Sequence, residues 1–122
     1  MNGRETARIL GLVRLGLGVV SFVLPKTTMK MWIGQEAKPY PTNMVLRGMA
    51  ARDIALGIGL LAALENDGQV RGWLEGGAAA DLGDAIGTLS VWRDLPGLRR
   101  LLLLSSELGA VALQIQLVSE LD

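Results

Sequence analysis

The chain contains neither histidine nor cysteine among its 122 residues. Without these two residue types it cannot form imidazole or thiolate metal sites, a cysteine nucleophile, histidine-ligated haem or a disulfide. The Ser-His-Asp arrangement of nucleophilic catalysis is excluded for the same reason. No metal site and no cofactor are therefore predicted from the residues present.

An excess of charge of either sign is also absent, since 12 basic and 12 acidic residues balance. Nucleic-acid binding depends on a basic surface, so no nucleic-acid partner is predicted. Charged residues make up only 20% of the chain, hydrophobic residues make up 50%, and the mean hydropathy is +0.37. Soluble domains average about a quarter charged residues, so this composition is shifted toward lipid. The length predicts a single domain, residues 1–122.

Four apolar stretches recur along the chain, at residues 6–24, 43–64, 72–92 and 98–118. As helices of about twenty residues, each would be roughly 30 Å long, which matches the hydrocarbon core of a bilayer. Short turns at Asn66-Asp67-Gly68 and Pro96-Gly97 place successive helices antiparallel. The predicted fold is all-α, a four-transmembrane-helix antiparallel bundle. A soluble four-helix bundle is the alternative, because every stretch contains charged residues.

Basic residues in the connections predict the orientation in the membrane. The longer first connection, residues 25–42, and the third connection hold six lysines and arginines, against three on the opposite side. Because short cytoplasmic loops are enriched in basic residues, we expect both of these connections in the cytoplasm and both termini outside. Trp32 and Tyr40, in the first connection, are expected at the level of the lipid headgroups.

Charged side chains within the apolar stretches are the main functional signal: Arg14, Arg47, Arg52, Asp53, Glu75, Asp81, Asp84 and Glu107. A charge inside a membrane costs about 2.5–3.5 kcal/mol on insertion scales, so such residues face the bundle interior and pair. Helical spacing puts Gly77, Asp81, Asp84 and Thr88 on one stripe. A comparable stripe on the first helix contains Gly11, Arg14, Gly18 and Ser21. Arg47 and Glu75 lie near the ends of their stretches and are expected to reach the interface.

We therefore expect Arg14 and Arg52 to meet some of the carboxyl groups of Asp53, Asp81, Asp84 and Glu107 in a buried network. The eight charged residues singled out above comprise five acids and three arginines, so at least one acid is expected to be protonated at neutral pH, with Glu107 a candidate. The candidate catalytic residues are the four acids together with Arg52, and the candidate binding residues are Arg14, Arg52 and Thr88. A purely structural role, in which the ion pairs fix the arrangement of the helices, is the competing interpretation.

Three functions fit these residues. The first is binding of a lipid or another small hydrophobic or amphipathic molecule in the polar interior. The second is a membrane enzyme, an acid–base isomerase, cyclase or epoxide-opening enzyme acting on an isoprenoid or lipidic substrate. The third is a structural subunit of a larger membrane complex. The pairs Gly72/Gly76 and Gly83/Gly87 predict close helix packing inside the bundle, with a homo-oligomer as the alternative.

Several segments together resemble a known family: LGLVRLGLG, MWIG, LRGMAARDIALGIGLL and GWLEGGAAADLGDA. They are similar to small four-helix bacterial membrane proteins of a domain-of-unknown-function family, abundant in actinobacteria and distantly similar to the DoxX group. The resemblance covers most of the chain. It implies a membrane location and shared polar positions at Arg14, Arg52, Asp53, Asp81 and Asp84, and it implies no activity.

Overall fold

The computed structural model describes residues 1–33 and 41–121. Over these residues the chain is all-helical, which confirms the all-α part of the predicted fold. Its α-helices are α1 (Gly3–Val23), α2 (Pro25–Ile33), α3 (Pro41–Glu65), α4 (Val70–Ser90) and α5 (Gly97–Leu121). A single 3₁₀ turn, Trp92–Asp94, joins α4 to α5.

The helix boundaries differ from the predicted ones where a capping box, a proline or a tight turn determines the end of a helix. Helix α1 begins three residues earlier because Asn2 and Glu5 form a reciprocal capping box. The first connection contains a helix of its own, α2, which begins at Pro25 in the first-turn position that proline tolerates. Helix α4 ends at Ser90 rather than at Trp92 because the chain tightens into the 3₁₀ turn. Tyr40 and the side chain of Trp32 lie outside the described residues.

The four long helices pack as two antiparallel pairs, α1 with α3 and α4 with α5. Arg8 near the start of α1 pairs with Glu65 at the end of α3, and Arg47 near the start of α3 donates to the carbonyl of Phe22 at the other end of α1. Contacts between the two pairs include a hydrophobic core near the chain termini, formed by Ala7, Leu60, Leu64, Leu74 and Leu117. The bundle is thus closed by apolar packing at that end.

Glycine allows the backbones of α1 and α3 to touch. A Cβ added at Gly18 would lie 2.9 Å from the carbonyl oxygen of Ala50, and one at Gly57 would lie 2.9 Å from that of Gly11. No side chain fits at either position without moving a helix, because backbone atoms cannot rotate away.

The predicted packing role of Gly72/Gly76 and Gly83/Gly87 was wrong for the described residues. A Cβ added at Gly83 or at Gly87 would meet nothing within 4 Å, and all four glycines are exposed. They lie on the outer face of α4. Asp81 and Thr88 occupy the inward face of this helix, so the glycines do not pack against α5. The homo-oligomer alternative stays a prediction.

Large apolar side chains cover the outside of the protein on all four long helices. Helices α1 and α5 are long and apolar enough to cross a membrane. In the most apolar 18-residue segment of each helix, only 22% and 11% of the residues, respectively, are buried inside the protein. Their apolar residues therefore point mostly outward, unlike those of a core helix in a soluble protein. Helices α3 and α4 do not meet the same criterion of length and apolar composition.

Substituting Gly18 by alanine should destabilise the protein by about 1–3 kcal/mol, because the new methyl group forces α1 away from α3. Gly16→Ala is the matched control, since a Cβ at Gly16 meets nothing within 4 Å. The control should be neutral or slightly stabilising, as alanine is the better helix former. Thermal unfolding of both variants in one detergent measures the difference. Equal melting temperatures would contradict the backbone contact.

Candidate functional site

Arg14 lies at the centre of the bundle and is only 8% exposed. Its Nη1 donates to Oδ1 of Asp53 at 2.9 Å, and its Nη2 donates to Oδ2 of Asp81 and to Oε1 of Gln114 at 3.4 Å. These partners belong to α3, α4 and α5. One guanidinium on α1 therefore connects all four long helices.

A second ion pair extends the network toward the surface. Arg52 binds Asp84 with two parallel hydrogen bonds, Nη1 to Oδ1 at 3.0 Å and Nη2 to Oδ2 at 2.7 Å. The same Nη2 lies 3.5 Å from Oδ1 of Asp53. Asp53 thus faces both arginines, and the two ion pairs form one continuous group. Bidentate arginine–carboxylate pairing of this kind also fixes the orientation of α3 against α4.

Glu107 stands apart from the arginines, although its sequence position grouped it with the other acids. Its Oε1 accepts a hydrogen bond from the Thr88 hydroxyl at 2.8 Å. Its Oε2 is buried and has no hydrogen-bond partner among residues 1–33 and 41–121. Thr88 itself is buried. Within the described part of the chain, Glu107 is therefore the one network candidate without a basic partner.

A cavity of about 700 Å³ opens beside the network, on the side away from the hydrophobic core. Arg14, Asp53, Asp81 and Asp84 line one part of it, and Glu107 lies in its wall. Helix α2 contributes Thr28. Most of the remaining wall is apolar and comes from α1, α3 and α5: Leu10, Val13, Leu17, Val45, Leu46, Met49, Ala50, Leu103 and Ala110. The site is therefore an apolar cleft that ends on charged groups.

Gln114 is the member of the site that sequence reasoning missed. Its Nε2 donates to Asp81 Oδ2 at 2.6 Å and to the carbonyl of Ala110 at 2.9 Å. The sequence did contain a signal, because Gln114 follows Glu107 by seven residues and so lies on the same face of α5. A Cβ on Gly77 would overlap Oε1 of Gln114, which explains the glycine at that position.

The two charged residues predicted to lie near helix ends do not join the network. Arg47 is exposed, and its guanidinium lies 5.9 Å from the ring centroid of Phe22. Glu75 is also exposed and pairs with Arg71 at 2.7 Å on the same helix. Among the described residues, no group of three or more metal-ligating side chains is arranged to hold a metal ion.

No known family is matched. The chain fits no protein-family model, and neither a curated protein nor a solved structure is significantly similar to it. The resemblance to small four-helix membrane proteins stays an expectation. The functional interpretation therefore depends on the cavity and on the charges that line it.

Substituting Asp81 by asparagine should destabilise the protein strongly, because it removes one of the two carboxylates that face the buried Arg14. Breaking a buried ion pair costs about 3–5 kcal/mol, and the remaining Asp53 contact places the expected loss near the lower end. Glu65→Gln is the control, since the Arg8–Glu65 pair is exposed and such pairs contribute about 1 kcal/mol or less. Thermal unfolding should separate the two variants clearly. A melting temperature for Asp81→Asn as high as that of the control would show that Arg14 does not hold the helices together.

Proposed function

We propose that this protein is an integral membrane bundle whose cavity binds a lipid-like or amphipathic small molecule. The observation that carries the proposal is the cavity of about 700 Å³ with apolar walls and a charged end. Small-molecule sites commonly have volumes of about 300–1,000 Å³, apolar walls and a few placed polar groups. A molecule with an apolar body and one polar end would place its body against the apolar walls and its polar end at the charged groups.

The membrane location is supported by the distribution of polar and apolar side chains. The exposed large apolar residues occur on α1, α3, α4 and α5, so water would surround an unfavourably apolar surface. The charges in the middle of α3 and α4 are turned inward to the network, which removes the main obstacle to burying these helices in lipid. Helices α3 and α4 contain 25 and 21 residues. They are thus long enough to span, at roughly 1.5 Å per residue.

The proposed topology has four spans in a bacterial inner membrane with both termini outside. The turn at Asn66 then lies outside and the turn at Arg93 lies in the cytoplasm. Because the chain contains no cysteine, single cysteines at these two positions report accessibility without background. A membrane-impermeant maleimide applied to intact spheroplasts should label Asn66→Cys and leave Arg93→Cys unlabelled until the membrane is opened. Labelling of both sites in intact cells would contradict four spans, and the reverse pattern would invert the orientation.

Ligand binding can be tested on protein isolated from its native membrane. Mass spectrometry of the extracted protein should find one small amphipathic molecule enriched over bulk lipid at near-equal stoichiometry. Leu103→Trp should remove that molecule, because Leu103 lines the cavity and the indole ring fills it. Leu102→Trp is the matched control, since the neighbouring Leu102 is exposed on the outer face. Only bulk lipid in the wild-type protein, or equal retention by both variants, would favour a structural subunit over a binding protein.

Acid–base catalysis on a lipidic substrate is a second candidate function, and the position of Glu107 favours it. Its Oε2 has no hydrogen-bond partner among the described residues and the side chain lies in the cavity wall. In its protonated form, Glu107 would donate its carboxyl proton to an epoxide oxygen as the carbon–oxygen bond breaks. Water would then add to the carbon and pass its proton to a carboxylate such as Asp84. Glu107→Gln should abolish turnover of such a substrate while leaving the fold intact.

A further inference from the structure

The cavity has an imbalance of charged groups. The site contains two arginines, Arg14 and Arg52, and four carboxyl groups, those of Asp53, Asp81, Asp84 and Glu107. Arg14 is shared between Asp53 and Asp81, and the two short bonds of Arg52 go to Asp84. Among the described residues, Glu107 accepts a hydrogen bond only from the hydroxyl of Thr88. Both arginines thus already pair with aspartates, while in the described part of the chain the carboxyl group of Glu107 has no basic partner.

We infer that the cavity binds an amphipathic cation, with an ammonium head at Glu107 and a hydrocarbon chain along the apolar walls. This inference rests on the proposed binding function and specifies the class of its ligand. An ammonium group would supply the positive charge that the two arginines do not provide. Its N–H groups would donate to Oε2 of Glu107, the oxygen left without a partner among the described residues, in a charge-assisted hydrogen bond.

The surroundings of Glu107 discriminate between head groups. Ser106 and Asp84 line the same cavity, so a hydroxyl group and a second carboxyl group accompany Glu107 there. An anionic head would be repelled by these carboxylates. A neutral alcohol would satisfy one oxygen and leave the excess of negative groups unchanged. An ammonium ion satisfies the oxygens and reduces the excess.

The walls distinguish an organic cation from a metal ion. Hard metal cations take six or more oxygen ligands, whereas no metal-ligating group of that kind occurs in the described part of the chain. Leu17, Leu46, Met49 and Leu103 instead present a hydrocarbon surface over most of the cavity. Burial of apolar ligand surface stabilises the complex in proportion to the area buried, before the costs of association. Affinity should therefore rise with the chain length of the amine.

The test uses the full chain in phosphatidylcholine nanodiscs and three probes with the same chain: dodecylammonium, dodecanol and dodecanesulfonate. Calorimetric titrations are corrected with empty nanodiscs. Dodecylammonium should bind saturably at one per protein and at least tenfold more tightly than either other probe. Glu107→Gln should weaken dodecylammonium at least tenfold. Glu120→Gln should bind it as the wild type does, because Glu120 lies on the same helix but is exposed and contacts Gln116.

The probe series on the wild-type protein decides the inference even if Glu107→Gln fails to fold. Equal or tighter binding of dodecanol or dodecanesulfonate overturns it, as does unchanged amine affinity in a folded Glu107→Gln variant. If either other probe binds best and Leu103→Trp blocks it, the inference fails while the proposed binding function stands. If none of the probes binds above empty nanodiscs, the inference fails, and the molecule found on native extraction separately decides the proposed function.

Discussion

The arrangement of the whole bundle depends on the buried guanidinium of Arg14. It is the group through which α1 reaches α3, α4 and α5 at one level of the structure. A charge at this depth is tolerated only because Asp53, Asp81 and Gln114 surround it with acceptors. The glycines at positions 18 and 57 also help to fix the position of Arg14, since they bring α1 and α3 into backbone contact on either side of it.

The network also divides the interior into two regions with different properties. On the side of the chain termini, leucines and alanines fill the space between the helix pairs. On the other side, an open cavity of about 700 Å³ lies between the helices. Because the ion pairs hold the four helices at fixed positions, the apolar side chains on opposite walls of the cavity do not pack against each other. The same residues that stabilise the fold thereby form the polar end of the cavity, so their structural role is compatible with the proposed ligand binding.

Much of this architecture could be predicted from the spacing of residues. Helical periodicity placed Arg14 and Asp81 on inward stripes, and the all-helical class followed from four long apolar stretches. Glu107 and Gln114 were not predictable to the same degree, because their partners depend on how α5 is rotated against α4. The outward position of Gly83 and Gly87 has the same cause, since small-residue spacing does not specify which face meets a neighbour. Helix α2 has only nine residues, and a helix this short gives a much weaker sequence signal than the four long apolar stretches.

The most direct test of the central claim is an experimental structure, at side-chain resolution, of the protein purified from its native cells. We predict Arg14 between Asp53 and Asp81, and elongated non-protein density that begins at Glu107 and runs between α1 and α5. A structure in which α1 and α5 close onto each other, so that Leu17 packs against Leu103 and no cavity remains, would contradict it.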